Sequence, residues 1–172
     1  MLSHWDDWYE YEGTYWQPRY RKGVDEGEES QWRYAFNATF GHHGIFSLTP
    51  LWLLSIFGCF FWLRQASVSY RNVSAAIMVA SLVCFAFYMA RPLIDRNYGG
   101  VSCAFRWLLW FIPLWIWLML PMADWLAKYR FGRATGYVLL AISLFAVVTS
   151  LENPWQHPWI YRYWDYLGWL AS

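Results

Sequence analysis

The sequence predicts an all-α integral membrane protein of four transmembrane helices, with an aromatic-rich N-terminal arm and an interfacial C-terminal helix. Three observations carry this reading. Of 172 residues, 58% are apolar and only 15% are charged. Lys, Arg, Asp and Glu are absent from four stretches, residues 34–63, 72–90, 107–123 and 134–151, which are 30, 19, 17 and 18 residues long. The other 88 residues hold all 25 charges, a density of about 28% that matches an ordinary soluble surface.

A hydrocarbon layer of roughly 30 Å and a helical rise of about 1.5 Å per residue require about 20 apolar residues per crossing. Each stretch supplies that length. A soluble bundle is the competing reading, but four such helices need more polar shell than this chain provides. The composition excludes a disordered chain and a nucleic-acid partner. It makes membrane lipids the first partner expected.

Residues 1–44 read as a polar, aromatic extracytoplasmic arm. Its first 33 residues carry eight acids and four bases among eight Trp and Tyr rings, and Gly13, Pro18, Gly23 and Gly27 interrupt any long periodic element. We read it as ordered loop with short helical or extended pieces. No secretory signal pattern is present, because acids rather than a basic patch follow Met1.

The transmembrane domain is expected over 45–151. The first span, about 45–63, starts after Gly41-His42-His43-Gly44 and tolerates Pro50 in its first turns. The second, about 74–90, is stopped by Pro92. A turn-rich loop around Asn97-Tyr98-Gly99-Gly100 leads to the third, about 107–126, where Pro113 and Pro121 predict a kink. The fourth covers about 136–151. Residues 152–172 form the tail, which is too short and amphipathic to cross; Trp159, Tyr163, Tyr166 and Leu170 share one helical face suited to the membrane boundary.

Four crossings place both termini and the 91–106 loop on one side. The opposite connectors hold Arg64, Arg71, Lys128, Arg130 and Arg133, so the positive-inside rule puts them in the cytoplasm and both termini outside. The outer face then gathers His42, His43, Arg91, Asp95, Arg96, Asn97, Tyr98, Arg106 and His157.

Arg91, Arg96 and Arg106 surround a glycine turn, where guanidinium forks and free backbone donors suit a phosphate or pyrophosphate. Snorkelling to head groups and pairing with Asp95 is the plainer alternative. His42 and His43 are adjacent, which rules out the helical i, i+4 metal arrangement; interfacial histidines or an acid/base pair are the competing readings. The mixture of aromatic rings and carboxylates also suits a carbohydrate platform or an interfacial anchor. Cys59, Cys84 and Cys103 form no metal spacing, and no metal or cofactor is expected. The two glycosylation patterns at Asn37 and Asn72 are too common to carry weight, and no nucleophilic triad, phosphate loop or dinucleotide fingerprint occurs. The polar side chains inside the spans, Ser55, Ser81, Ser143 and Thr149, are small and not ionisable, which argues against a proton or ion path.

The run Phe40-Gly41-His42-His43-Gly44-Ile45-Phe46-Ser47-Leu48-Thr49-Pro50, and Asn97-Tyr98-Gly99-Gly100 followed by Arg106-Trp107-Leu108-Leu109-Trp110-Phe111-Ile112-Pro113-Leu114, resemble the later spans of bacterial multi-pass GT-C proteins. These are similar to dolichyl-phosphate-mannose-protein mannosyltransferases and related lipid-linked-sugar transferases. The resemblance covers roughly 40–126.

It implies the bacterial cytoplasmic membrane, and an external cavity admitting a polyprenyl-phosphate sugar, bordered by His42, His43, Arg96, Tyr98 and Arg106. The full substrate-binding set expected at the outer face is His42, His43, Arg91, Asp95, Arg96, Tyr98 and Arg106. The family's essential carboxylate has no match here, so no catalytic residue is assigned, and a fragment or shortened relative is implied. A non-catalytic small membrane subunit packing against a larger membrane protein is the rival expectation.

Overall fold

The computed structural model describes residues 11–13, 27–65 and 67–170. The reading of the early arm falls mostly on residues 1–10 and 14–26, which lie outside these. Among the described residues the fold is all-helical and contains no strand. Its helices are α1 (Gln31–Thr39), α2 (Ile45–Leu48), α3 (Leu53–Leu63), α4 (Val68–Met89), α5 (Ile112–Ala127), α6 (Arg130–Val148) and α7 (Trp159–Tyr166). A 3-10 segment, Arg106–Phe111, runs directly into α5.

Three helices are long and apolar enough to cross a membrane: Val68–Met89, Arg106–Ala127 and Arg130–Val148. They overlap the expected spans at 74–90, 107–126 and 136–151. The stretch expected as a single span at 45–63 is instead divided into α2, a 3-10 turn at Pro50–Trp52, and α3. Thr49 breaks the helix, with φ −132° and ψ 73°. The cause is Pro50, whose ring disfavours helical backbone in the residue before it. The apolar helix that remains, Pro50–Leu63, rises only about 21 Å at roughly 1.5 Å per residue.

Contacts fix the directions of the helices. Ser55 Oγ donates to the carbonyl of Trp115 at 2.8 Å, Gly58 lies against Leu118, and the Phe61 and Trp125 rings pair, so α3 and α5 run parallel. α4 runs the other way: Trp115 Nε1 donates to Ser81 Oγ at 3.0 Å, and Tyr88 stacks on Trp107. α6 returns after a tight turn in which Arg133 donates to the carbonyl of Ala127. Leu118, Cys59 and Ile77 form the buried centre of this bundle.

Two interruptions of the backbone ladder are closed by side chains. Pro121 lies inside α5 and has no N–H, so the carbonyl of Trp117 loses its helical donor. Trp62 Nε1 donates to that oxygen at 3.2 Å, with the two indoles stacked at 4.6 Å. At the break after α2, the amide of Leu51 donates to Ser143 Oγ of α6 at 3.3 Å. Pro113, by contrast, sits in the first turn of α5, where a missing donor has no partner to lose.

Gly58 allows the closest approach of α3 to α5, because a Cβ there would collide with the backbone carbonyl of Leu118. Gly58→Leu should therefore force the helices apart at a cost of about 1–3 kcal/mol. Thermal unfolding in detergent checks this, and an unchanged midpoint contradicts the close contact.

Candidate functional site

One end of the bundle gathers three segments: residues 27–44, the 91–106 loop and residues 149–170. Glu28 N donates to Arg96 O at 3.1 Å, Tyr34 Oη donates to Asn97 O at 2.7 Å, and Cys103 N donates to Pro154 O at 3.2 Å. The first contact joins the arm to the loop, the second anchors α1 to it, and the third ties the loop to the tail.

The Gly41-His42-His43-Gly44 turn folds back on the end of α1. Gly41 N donates to Phe36 O and His43 N to Asn37 O, while Ser47 Oγ donates to Gly41 O. A Cβ at Gly41 would strike Asn37, and one at Gly44 would strike the backbone of Thr39. The two glycines are therefore required by proximity, and they drive both histidines inward.

His42 is 4% exposed and His43 is fully buried. Their Nδ1 atoms face each other within hydrogen-bond reach, so one ring donates and the other accepts. His43 stacks on Tyr98 at 4.3 Å, and His157 stacks on Tyr161 at 4.0 Å. His43 and His157 approach edge to face at 5.9 Å. Tyr161 and Trp164 of α7 cover His42.

On the other side Tyr98 Oη donates to Glu28 Oε2 at 3.0 Å, and Asn37 Nδ2 donates to the same oxygen at 3.2 Å. The Nε2 atom of His43 is buried without a hydrogen-bond partner. Among the described residues no set of three His, Cys, Asp or Glu side chains is placed to hold a metal.

Burial sets the protonation of this cluster. It pulls His42 down to about 4, with His157 adding to the effect. His43 lies well below the ordinary histidine value, through burial first and then its two histidine neighbours. Tyr98 is raised by burial and by the Glu28 carboxylate, and Tyr34 chiefly by burial. At neutral pH the His42 and His43 imidazoles are therefore neutral, and the Tyr34 and Tyr98 phenols keep their protons.

The expected arginine set does not converge. Arg91 pairs with Asp95 at 2.6 Å. Arg96 spends its guanidinium on the carbonyls of Arg91, Glu28 and Glu29, which makes it a staple between the loop and the arm. The amides of Gly99 and Gly100 are taken by Asn97 Oδ1. Arg106 lies against aromatic faces, with Trp155 at 4.9 Å and Trp107 at 5.4 Å, and Arg91 also lies over Phe87 at 5.5 Å.

A cavity of about 240 Å³ lies below the histidine turn, between the α2–α3 break, α4 and α5. Thr39, Ile45 and Phe46, which flank the turn, form one end; Trp52, Ile56, Met78, Leu82, Phe85 and Leu108 form the walls. Its serines, Ser55 and Ser81, are already bonded to Trp115. The space therefore presents almost only carbon and suits an aliphatic chain.

Sequence reasoning missed Glu28, Asn37, Tyr161 and Trp164 as partners of the histidines, and the cavity altogether. The i, i+3 spacing of Tyr34 and Asn37 was the available signal for a polar, inward face of α1.

The histidine shifts carry a sign. An unfolded chain takes up protons on His42 and His43 near 6.5, whereas the folded chain holds His42 neutral to about 4, so the unfolded state binds more protons across that window. Thermal stability should be flat above pH 7 and fall as pH drops from 6.5 toward 4. The double variant His42→Gln, His43→Gln should flatten that fall; a pH dependence equal to that of the parent contradicts the buried neutral pair. Compared with known proteins, the chain matches no family model, no curated protein and no solved structure.

Proposed function

We propose that this chain is a multi-pass membrane protein that holds a lipid-linked sugar of the polyprenyl-phosphate type, with the apolar tail in the interhelical cavity and the head group at the outer end of the bundle. The apolar cavity beneath the Gly41–Gly44 turn is the observation that carries this reading. Arg106 stands two residues from Leu108 on the cavity wall and offers a cation beside the exposed ring of Trp155, a combination suited to a phosphate joined to a sugar. His42, His43 and Tyr98 support the rim from within rather than touching the head group, since all three are buried.

The likeness to the later spans of GT-C transferases supports the same ligand class, and no residue is assigned to catalysis. The setting is a bacterial cytoplasmic membrane with both termini outside, which places Arg64, Arg71, Lys128, Arg130 and Arg133 in the cytoplasm.

A second reading, a small subunit packed against a larger membrane partner, is favoured by one observation. Only 11–17% of residues in the apolar windows of the three long helices are buried within the chain.

Ile56→Trp fills the cavity without touching the loop face. It should lower retention of a photoreactive polyprenyl-phosphate probe about tenfold, the effect of displacing about two buried methylenes at roughly 0.8 kcal/mol each. Retention equal to that of the parent protein contradicts the lipid site.

A further inference from the structure

α1 is amphipathic in an inverted sense. Its inward face carries Tyr34, Asn37 and Ala38, with the two polar groups bonded to Asn97 O and Glu28. Its outward face carries Trp32, Phe36 and, at the cap, Phe40, which are 86%, 53% and 56% exposed. These follow one another at i, i+4 and i+8, so they form a single aromatic stripe. Arg33 is the only charged residue of the helix. A row of three large rings turned away from the protein is an interaction surface rather than a water-facing one.

The depth of α1 identifies what covers it. Tyr34 and Ala38 belong to a buried cluster with Tyr98, Phe105 and Leu108, against which Cys84, Phe85, Tyr88 and Met89 of α4 pack. Cys84 lies five residues before the helix end at Met89, about 7 Å down the helix at roughly 1.5 Å per residue. Amphipathic helices lying in a bilayer bury their apolar face about 5–10 Å into the boundary between head groups and acyl chains. The same level carries Trp110 at the start of the third apolar segment, 84% exposed, and indoles favour that layer.

We propose that α1 is a membrane-lying helix whose Trp32–Phe36–Phe40 stripe is immersed in the acyl chains at the outer boundary of the bilayer. The stripe ends beside the cavity. Phe40 lies 5.3 Å from Phe46, which lines the cavity wall, so a lipid tail alongside α1 reaches that space without crossing water. The inference rests on the membrane reading of the long helices but not on the identity of the lipid.

Fluorophore labelling in phosphatidylcholine–phosphatidylglycerol vesicles tests it, using the full chain with Cys59, Cys84 and Cys103 changed to Ala and single cysteines at Phe36→Cys, Gln31→Cys or Phe87→Cys. Each labelled protein must elute from size exclusion as the parent does. An environment-sensitive label at position 36 should show blue-shifted emission, quenching by a shallow spin-labelled lipid and loss of quenching by aqueous iodide; position 31, off the stripe, should remain open to iodide. Iodide quenching at 36 equal to that at 31, with position 87 protected, overturns the proposal and leaves the membrane reading standing. Iodide quenching at 87 as well overturns both. Disulfide formation between two copies through Phe36→Cys also overturns it, because a second protein then covers the stripe.

Discussion

Inside hydrocarbon there is no water to satisfy a backbone group that has lost its helical partner, so each break in a helix must be closed by a side chain from a neighbour. That constraint organises this molecule. Pro50 and Pro121 each open a ladder, and the closures, Leu51 to Ser143 and Trp62 to the carbonyl of Trp117, are contacts between different helices. They join the α2–α3 segment to α6 and α3 to α5. With Gly58 against Leu118 they fix the parallel register of α3 and α5, which sets the two helices' ends level with one another.

The break at Thr49 has a second consequence. A continuous helix from Ile45 to Leu63 would run past α4 and α5 at one spacing. The divided segment turns at Thr49 and Pro50, and the space between it, α4 and α5 is the cavity lined by Phe46, Trp52 and Ile56. The same break sets α2 directly beneath the Gly41–Gly44 turn, which places the polar pit of histidines, tyrosines and Glu28 next to an apolar chamber. Most of the buried polar groups there are bonded within the cluster, since Glu28 accepts from Tyr98 and Asn37 and the two histidines bond each other, while His43 Nε2 is left over. Neutral imidazoles complete this, since a buried cation without a counter-charge is far more costly than a buried ring.

Charge-free length made the three long helices legible in the sequence, because the stretches 72–90, 107–123 and 134–151 make up most of Val68–Met89, Arg106–Ala127 and Arg130–Val148. The approach of residues 27–44, the 91–106 loop and residues 149–170 to one end of the bundle agrees with the expectation that these segments lie on one side. The break at Thr49 was signalled by Pro50 but outweighed by the apolar run on either side; a proline near a helix start is tolerated, and only its effect on the preceding residue separates a start from an interruption. The site was legible in its histidines and hidden in their partners. Glu28 lies fourteen residues upstream of His42 and Tyr161 more than a hundred residues downstream, distances at which local periodicity carries no information.

The arginines show why residue type is a weaker guide than the state of its donors. Phosphate recognition depends on guanidinium edges that remain free for a ligand. The edges of Arg96 end on three backbone carbonyls, and Arg91 is closed by Asp95. Arg106 lies over the rings of Trp107 and Trp155, and a cation–π contact occupies the face of a guanidinium rather than its in-plane N–H groups. The glycine at position 99, with φ +100°, sits where a side chain would meet the Arg106 stem, so the turn that seemed suited to cradling a phosphate through its amides serves instead to seat this one cation. On the proposed reading, a head group at this end of the bundle meets Arg106 beside indole rings, next to a chamber lined almost entirely by carbon.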